Sequence, residues 1–379
     1  MSEIGPASMR TWLAAPLTPD TSQALEHLRN APDVQRMAVM PDVHLAADVC
    51  IGVAVATSTL IYPQAVGGDI GCGMLAVGFD AAGVDVRNSK IAGQILAALR
   101  EAVPARRRNR NRVVCLPHSL ADTPLSDPRL ESVRRSDGLT EFATLGSGNH
   151  FVELQADQED RLWLMVHSGS RAMGQAIRDF HLAKAQPATN RLRALDSTTE
   201  AGRQYLHDVR WARQYADASR TAIAEAVERV LSRLIGARAC WDSLLTTDHN
   251  HVAQESHFGR PLWVHRKGAM PAEFGQGGVL PGSMGTLSFH VEGRGHPEAL
   301  CSSAHGAGRA LSRTAARHTI TAQQFHRQMQ GVWYDTRLAA ELRDEAPSAY
   351  KDVRAVLRAQ RELVKVTRTL RPLVNYKGV

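Results

Sequence analysis

Residues 50–62, CIGVAVATSTLIY, form a run of small and β-branched side chains without a single charge. Such a run reads as a strand buried on both faces, because a half-buried strand would alternate apolar with polar residues. MLAVGF (74–79) is a second apolar strand, and HFVELQ (150–155) and RLWLMV (161–166) are two more. Upstream, residues 22–30 read as a short helix leading into a strand that ends in MAVM (37–40). Further on, LWVHR (262–266) and TLSFHVE (286–292) are strand-like.

Helical periodicity lies between these pieces. In 88–103, Ile91, Ile95, Leu96 and Leu99 recur at helical spacing and Pro104 ends the run. In 201–235, Ile223, Val227, Val230, Leu231 and Leu234 make one apolar stripe, which reads as core packing. Helical patterns return in 321–329 and 350–370. Strands and helices at irregular spacing do not make a repeated βαβ unit. The expectation is therefore an α+β fold, a single mixed domain over residues 1–379. Within it, 106–138 is expected as a basic surface excursion and 201–235 as a long helical insertion.

A composition of 44% hydrophobic and 22% charged residues is that of a globular protein. No run of eighteen or more apolar residues occurs, so no membrane partner is expected. Residues 1–20 lack a positive segment followed by an apolar stretch, so no secretory signal is read and a cytoplasmic location is expected. The five cysteines, Cys50, Cys72, Cys115, Cys240 and Cys301, are scattered and do not resemble a disulfide framework. The net charge of +7 favours a polyanionic partner, and Arg106, Arg107, Arg108, Arg110 and Arg112 crowd into one stretch. That stretch reads either as a solvated loop or as a contact for an RNA backbone.

Polar and glycine residues gather at seven turns: MPDVH (40–44), GGDIGCG (67–73), GSGNHFVE (146–153), HSGSR (167–171), DHNH (248–251), PGSMG (281–285) and HGAGR (305–309). Glycine beside a polar residue lets backbone approach a ligand closely, and seven such turns suggest a site assembled from many loops. Asp69 and Cys72 lie three apart in one tight turn, and His150, His167 and His249 each stand beside Gly, Ser or Asn. A carboxylate, a thiolate and several imidazoles can hold one or two divalent ions. Ligand softness leans toward zinc and does not select manganese. Taken singly, each histidine also reads as a hydrogen-bonded turn residue and Cys72 as a small buried hydrophobe.

GSGN, PGSMG and HGAG place small residues where backbone amides could meet phosphate oxygens, and no Walker loop occurs. His305 precedes GAG and Arg309. An imidazole can attack phosphorus without a separate base, with Arg309 balancing the developing charge. A helix-capping histidine opening GAGRALSRTAAR is the other reading of that position.

MPDVH, AVGGDIGCGM, LGSGNHFVE, HSGSR, DHNH, RKGA, PGSMGTLS, HGAGR, YKDV and YKG, in that order from residue 40 onward, resemble the RtcB family of RNA-splicing ligases. The resemblance covers nearly the whole chain. It implies a β-rich core wrapped by helices and an enzyme that joins RNA ends carrying 2′,3′-cyclic phosphate or 3′-phosphate to 5′-hydroxyl ends. It further implies GTP and two Mn2+ ions as cofactors, with His305 as the catalytic, guanylylated residue. Asp69, Cys72 and His150 match one metal site; Cys72, His167 and His249 match the second. Asn149, His150, Phe151, Val152 and Glu153 fall where the family holds the nucleotide, as do His249 and Asn250. So do Pro281, Gly282, Ser283, Met284 and Ser288, and also His305, Gly306, Ala307, Gly308 and Lys377. Tyr350 is placed near the base. No protein partner is indicated, and the physiological RNA is not identified.

The chain departs from the family pattern at Ala46 and Cys50 after MPDVH, and at Ala172 and Met173 after HSGSR. Both places border the site and bear on substrate choice. In DHNH, His249 is assigned as the ligand because it precedes Asn250 as in the family, with His251 the alternative. Two other functions remain on the residues alone. One is a two-metal phosphoesterase acting on RNA phosphate ends without ligation, and the other is a non-catalytic RNA-binding protein that uses the basic excess.

Overall fold

A computed structural model describes residues 7–378. Residues 1–6, on which part of the signal-sequence reading falls, and residue 379 lie outside it. The fold is α+β, with β-sheets at the centre and helices around them.

A seven-stranded antiparallel sheet runs in the order Ala239–Asp248, Gly73–Ala82, Arg161–Ser168, Phe151–Ala156, Val364–Lys377, Ser288–Gly293, Gly277–Leu280. A five-stranded sheet runs Ser8–Thr11, Val34–His44, Ile51–Thr57, Arg260–Lys267, Asn250–His257. The strand Ala239–Asp248 ends the first sheet and Asn250–His257 edges the second, so His249 alone joins them. Gly73 is required at this junction, since a Cβ there would sit 2.2 Å from the Thr247 carbonyl oxygen.

Alternation along the strands sorts the two faces of the large sheet. Leu75, Val152, Val166 and Tyr376 face one side and enter a core with Ile223, Val227 and Leu231 of the helix Glu200–Ile235. Each such side chain stabilises the fold by roughly 1.5–3 kcal/mol on full burial. That helix is capped by Thr199, whose hydroxyl accepts from the Gly202 amide at 3.2 Å, and it ends at Gly236 with φ +74°. The other face presents two cross-strand rows: Met74–His167–Phe151–Lys377 and Ala76–Met165–Glu153–Asn375.

Three segments differ from the sequence reading. The run 50–62 is two strands, Ile51–Thr57 and Leu60–Ile61. The Asp33 carboxylate takes the amides of Thr59 and Leu60, both at 2.7 Å, and turns the chain there. MPDVH is not a turn but the end of the strand Val34–His44, with an irregular register between Val39 and His44. The stretch 350–370 is helical only over Val353–Ala359. Its second part begins the strand Val364–Lys377, where β-branched Val364, Val366, Thr367 and Thr369 fit the slot between Phe151–Ala156 and Ser288–Gly293.

In 106–138, Arg106, Arg107, Arg110 and Arg112 are exposed. Leu120, Leu125 and Leu130 instead pack against Tyr205, Val209 and Trp211 of the long helix. All five cysteines are unpaired. Among the described residues no helix is long and apolar enough to cross a membrane.

Candidate active site

The DIGCG turn is clamped from three sides. The Cys72 amide bonds the Asp69 carbonyl at 3.1 Å, the Gly71 amide bonds the Asn250 carbonyl at 2.7 Å, and buried Arg220 donates to the carbonyls of Gly71 (2.7 Å) and Ser168 (3.0 Å). Gly71 has φ +72°, and a Cβ there would lie 2.8 Å from the Arg213 Cα of the long helix. These contacts aim both Asp69 and Cys72 at the end of the large sheet, where His150 and His167 stand.

His150 Nδ1 donates to the Leu145 carbonyl and His167 Nδ1 to the Asn149 carbonyl, each at 3.0 Å. A carbonyl only accepts, so in the neutral rings the proton sits on Nδ1 and Nε2 carries the free lone pair. Those lone pairs converge. His150 Nε2 is 3.0 Å from Asp69 Oδ2 and 3.5 Å from Cys72 Sγ. His167 Nε2 is 3.2 Å from Cys72 Sγ and 3.4 Å from His249 Nε2. The result is two triads sharing one sulfur, Asp69–Cys72–His150 and Cys72–His167–His249, each with its donor atoms within 4.8 Å of one another.

Burial and neighbouring imidazoles hold His167 and His249 well below the usual histidine range, so both are neutral. Burial works to raise Asp69, but the adjacent His150 and the charge of Arg171 bring it down to about 2. Burial and the Asp69 charge push the Cys72 thiol well up. Asp69 Oδ1 and His249 Nδ1 are buried without partners. Neutral imidazoles, an ionised carboxylate and a thiol awaiting a compensating charge suit divalent cations. His251 does not face this centre: its Nδ1 is 3.0 Å from Asp248 and its Nε2 3.2 Å from Arg266.

His305 follows the short strand Ser302–Ala304, which pairs with Ala269–Pro271; the Ala269 amide in turn bonds the His249 carbonyl at 3.2 Å. This brings the His305 ring to 4.6 Å from the His249 ring, centre to centre. His305 caps no helix; Ser312 caps the next one, Arg313–Thr319. Fully buried Asp42 takes the His305 backbone amide at 3.2 Å, and its Oδ2 lies 2.6 Å from His305 Nδ1 in a close, off-axis approach. A carboxylate there favours a proton on Nδ1 and leaves the Nε2 lone pair available for attack. Gly308, φ +72°, permits the approach, because a Cβ would meet the Asp42 carbonyl oxygen at 2.3 Å.

Beside His305 opens a cleft of about 270 Å³. Its lining includes both cross-strand rows, through Met74, Phe151, His167, Glu153, Met165, Asn375 and Lys377. Asn149, Pro281, Gly282, Ser283, Met284 and Ser288 also line it, as do His305, Gly306, Ala307 and Gly308. Of the sequence candidates, Val152 points to the opposite face of the sheet, as its place between Phe151 and Glu153 demands. His150 and His249 belong to the cation triads. Asn250 ties the DIGCG turn to RKGA, donating to the Asp69 carbonyl (3.1 Å) and accepting from the Gly268 amide (2.9 Å).

The amides of Gly282, Ser283 and Ala307 are already bonded, to Ser288, Thr286 and Pro281. Positive charge in the cleft comes instead from side chains. Lys377, Arg309 and Arg313 all gather on Glu345, which also accepts from the Tyr350 hydroxyl at 2.7 Å. Burial pushes Glu153 up to about 8, against the bonds from Asn375 and Gln155 and the charge of Lys377.

Sequence reasoning did not assign Asp42, His44, Arg313, Glu345 or Asn375, all of which the fold brings to this site. Asp42 and His44 lay within a quoted motif, which was their one signal. Glu345 lies in none.

The family described as tRNA-splicing ligase RtcB matches residues 24–378 of this chain. An RNA-splicing ligase RtcB of Escherichia coli is 35% identical over 402 residues, covering 98% of each chain. The RNA-splicing ligase RtcB of Mycobacterium tuberculosis is 33% identical over 285 residues, covering 64% of this chain and 66% of its own. The tRNA-splicing ligase RtcB of Methanococcus maripaludis is 26% identical over 421 residues, covering 90% and 87%. The chain belongs to the RtcB family of RNA-splicing ligases.

Proposed function

We propose that the chain acts as one ligase domain, in the cytoplasm, and joins RNA 2′,3′-cyclic phosphate or 3′-phosphate ends to 5′-hydroxyl ends in RNA splicing or repair. It does so with GTP and Mn2+ through a guanylyl group carried on His305. The observation that carries this reading is the placement of His305 between a cation centre and a cleft. Its ring is 4.6 Å from that of His249, and it lines the 270 Å³ space with Glu153 and Lys377 on the floor.

In this reading His305 Nε2 attacks the α-phosphorus of GTP. An N–P bond forms as the α–β anhydride bond breaks, and pyrophosphate leaves. Asp42 keeps the remaining proton on Nδ1 and stabilises the positive charge that develops on the ring. Of the residues lining the cleft, Arg309 and Arg313 would meet the phosphates, and Phe151, Glu153, Tyr350 and Lys377 would hold the base. An oxygen of the RNA 3′-phosphate, formed where necessary by hydrolysis of the cyclic ester, then attacks the guanylyl phosphorus and frees His305. The 5′-hydroxyl oxygen next attacks the RNA 3′-phosphorus, gives up its proton, and GMP leaves. When bound, Mn2+ at the two triads, Asp69–Cys72–His150 and Cys72–His167–His249, would neutralise phosphate charge and raise the electrophilicity of phosphorus.

The test is incubation with α-labelled GTP and Mn2+, followed by denaturation. The expected result is an acid-labile label on the protein that His305→Ala abolishes. A label that survives this substitution overturns the assignment. RNA ends opened without any label on the wild-type protein would point instead to the two-metal phosphoesterase.

A further inference from the structure

Away from the cleft, Arg112, Arg229, Arg233 and Arg238 are exposed, and none of their guanidinium groups pairs with a carboxylate among the described residues, although the Arg238 backbone amide donates to Asp80 at 2.6 Å. Arg107 of the same basic stretch is by contrast held by Asp137 (3.0 Å) and Glu141 (3.2 Å). The four free guanidinium groups are not scattered. They line two adjoining grooves of about 400 and 620 Å³ that share Arg229 and Arg233. The groove floor is built from small apolar positions of the packed helices Ser89–Ala102 and Glu200–Ile235, among them Ala98 and Ala226, with Trp241 at one end. Three carboxylates also line the grooves. Glu228 is engaged by the Ala239 amide (2.9 Å) and the Trp241 indole (3.2 Å), leaving Glu101 and Glu225 against four arginines. Beneath them, burial and the charge of Arg229 depress Arg108, whose guanidinium donates to the carbonyls of Ala102 (2.8 Å) and Ala143 (2.9 Å). Like charges held this close in a concave surface attract a polyanion.

The grooves are mechanically continuous with the active site. The carbonyls of Pro104 and Ala105, at the root of the basic stretch, accept the amides of Leu145 and Gly146, each at 3.0 Å. The Leu145 carbonyl in turn holds His150 Nδ1. Along the long helix, Arg220 touches the DIGCG turn, and Arg229 and Arg233 follow on the same rod about 14 and 20 Å further on at 1.5 Å per residue. The long helix packs on the sheet face opposite the cleft, so an RNA that reaches both passes around the end of the sheet.

We propose that this arginine-lined groove binds the sugar–phosphate backbone of the RNA at a distance from the end being joined, with Trp241 offering a surface on which a base can stack. The proposal rests on the RNA-ligase reading above. It assigns the groove to RNA affinity and gives it no part in guanylylation.

The test compares wild type with Arg112→Ala/Arg229→Ala/Arg233→Ala, substitutions at exposed positions. Three quantities are measured: labelling of His305 by α-labelled GTP, direct binding of a 3′-phosphate RNA too short to reach the groove, and direct binding of one of about thirty nucleotides. The expected result is unchanged labelling and unchanged affinity for the short RNA. Affinity for the long RNA should fall at least about tenfold, and the slope of log affinity against log salt should decrease by about 2, at ~0.7 per lost single-strand phosphate contact. Long-RNA affinity and salt slope equal to wild type would overturn the proposal. An equal loss for both RNAs would overturn it too, because the contact would then lie at the reacting end. A wild-type protein that takes no label would sink the ligase reading instead, and the binding measurements would still decide the groove.

Discussion

Arg266 is fully buried, and its loss should be felt both in stability and at His305. Its guanidinium donates to Ser302 Oγ (2.9 Å), Glu255 Oε2 (2.9 Å) and the Leu300 carbonyl (3.0 Å), and lies 3.2 Å from His251 Nε2. Burial works to raise the Glu255 carboxyl, but the Arg266 charge, with help from His257, brings it from the ordinary 4.5 down to about 2. At about 1.4 kcal/mol per pH unit, that difference corresponds to roughly 3 kcal/mol. His257 remains 2.9 Å from Glu255 after Arg266→Met and retains part of it, so the expected loss at pH 7 is about 2–3 kcal/mol. The sign with pH follows from linkage. A depressed carboxyl contributes stability above its unfolded value of 4.5, and that contribution disappears as pH falls toward about 2. The gap between wild type and variant should therefore be widest at pH 7 and narrow by pH 3. Leu300 and Cys301 hold left-handed backbone (φ 51° and 43°) just before the strand that carries His305, and the Arg266 bond to Leu300 helps keep them there. Guanylylation per folded molecule should fall accordingly, and Arg266→Lys should recover part of the stability. Urea denaturation at pH 7, 5 and 3 measures the first effect and GTP labelling the second. A loss below about 1 kcal/mol at pH 7, or a gap that stays constant down to pH 3, would refute the reasoning.

Asp42→Ala should slow labelling of His305 by about 10²–10⁴-fold while leaving bound metal unchanged, since Asp42 touches the nucleophile and not the triads. Metal analysis alongside the labelling rate decides this, and a rate close to wild type would remove Asp42 from the mechanism. Cys72→Ala takes the shared donor from both triads, so metal content should drop from about two ions to less than one per chain. Retention of two ions would show that the sulfur is not a bridge. EDTA should abolish labelling, and added Mn2+ should restore it. For Glu153, raised by burial to about 8, wild-type stability should decline as pH rises from 4.5 through 8. Glu153→Gln should flatten that decline, gaining relative to wild type at pH 8 but not at pH 5 in denaturation midpoints.

Local pattern made much of this protein legible. The strands at 150–155 and 161–166 and the helix over 201–235 follow from side-chain period, which depends on neighbours in the chain. The glycine-flanked turns marked Asp69, Cys72, His150, His167, His249 and His305 because close backbone approach requires those residue types locally. Pairing across the chain is a different matter. Whether 364–370 is helix or strand depended on an open slot between two other strands, which no local window contains. His249 and His251 are indistinguishable by composition, yet the first sits at the junction between two strands and reaches the triad with Cys72 and His167, while the second lies within Asn250–His257 and meets Arg266. Alternation also turns Val152 into the core while its neighbours Phe151 and Glu153 face the cleft, and only the packed helix says which face is core. Asp42 meets His305, and Glu345 gathers Lys377, Arg309 and Arg313, across long stretches of chain. Sequence alone therefore decided which chemical groups were available and which elements carried them. The tertiary structure decided which groups meet, because contacts between distant residues are set by the packing of whole sheets and helices.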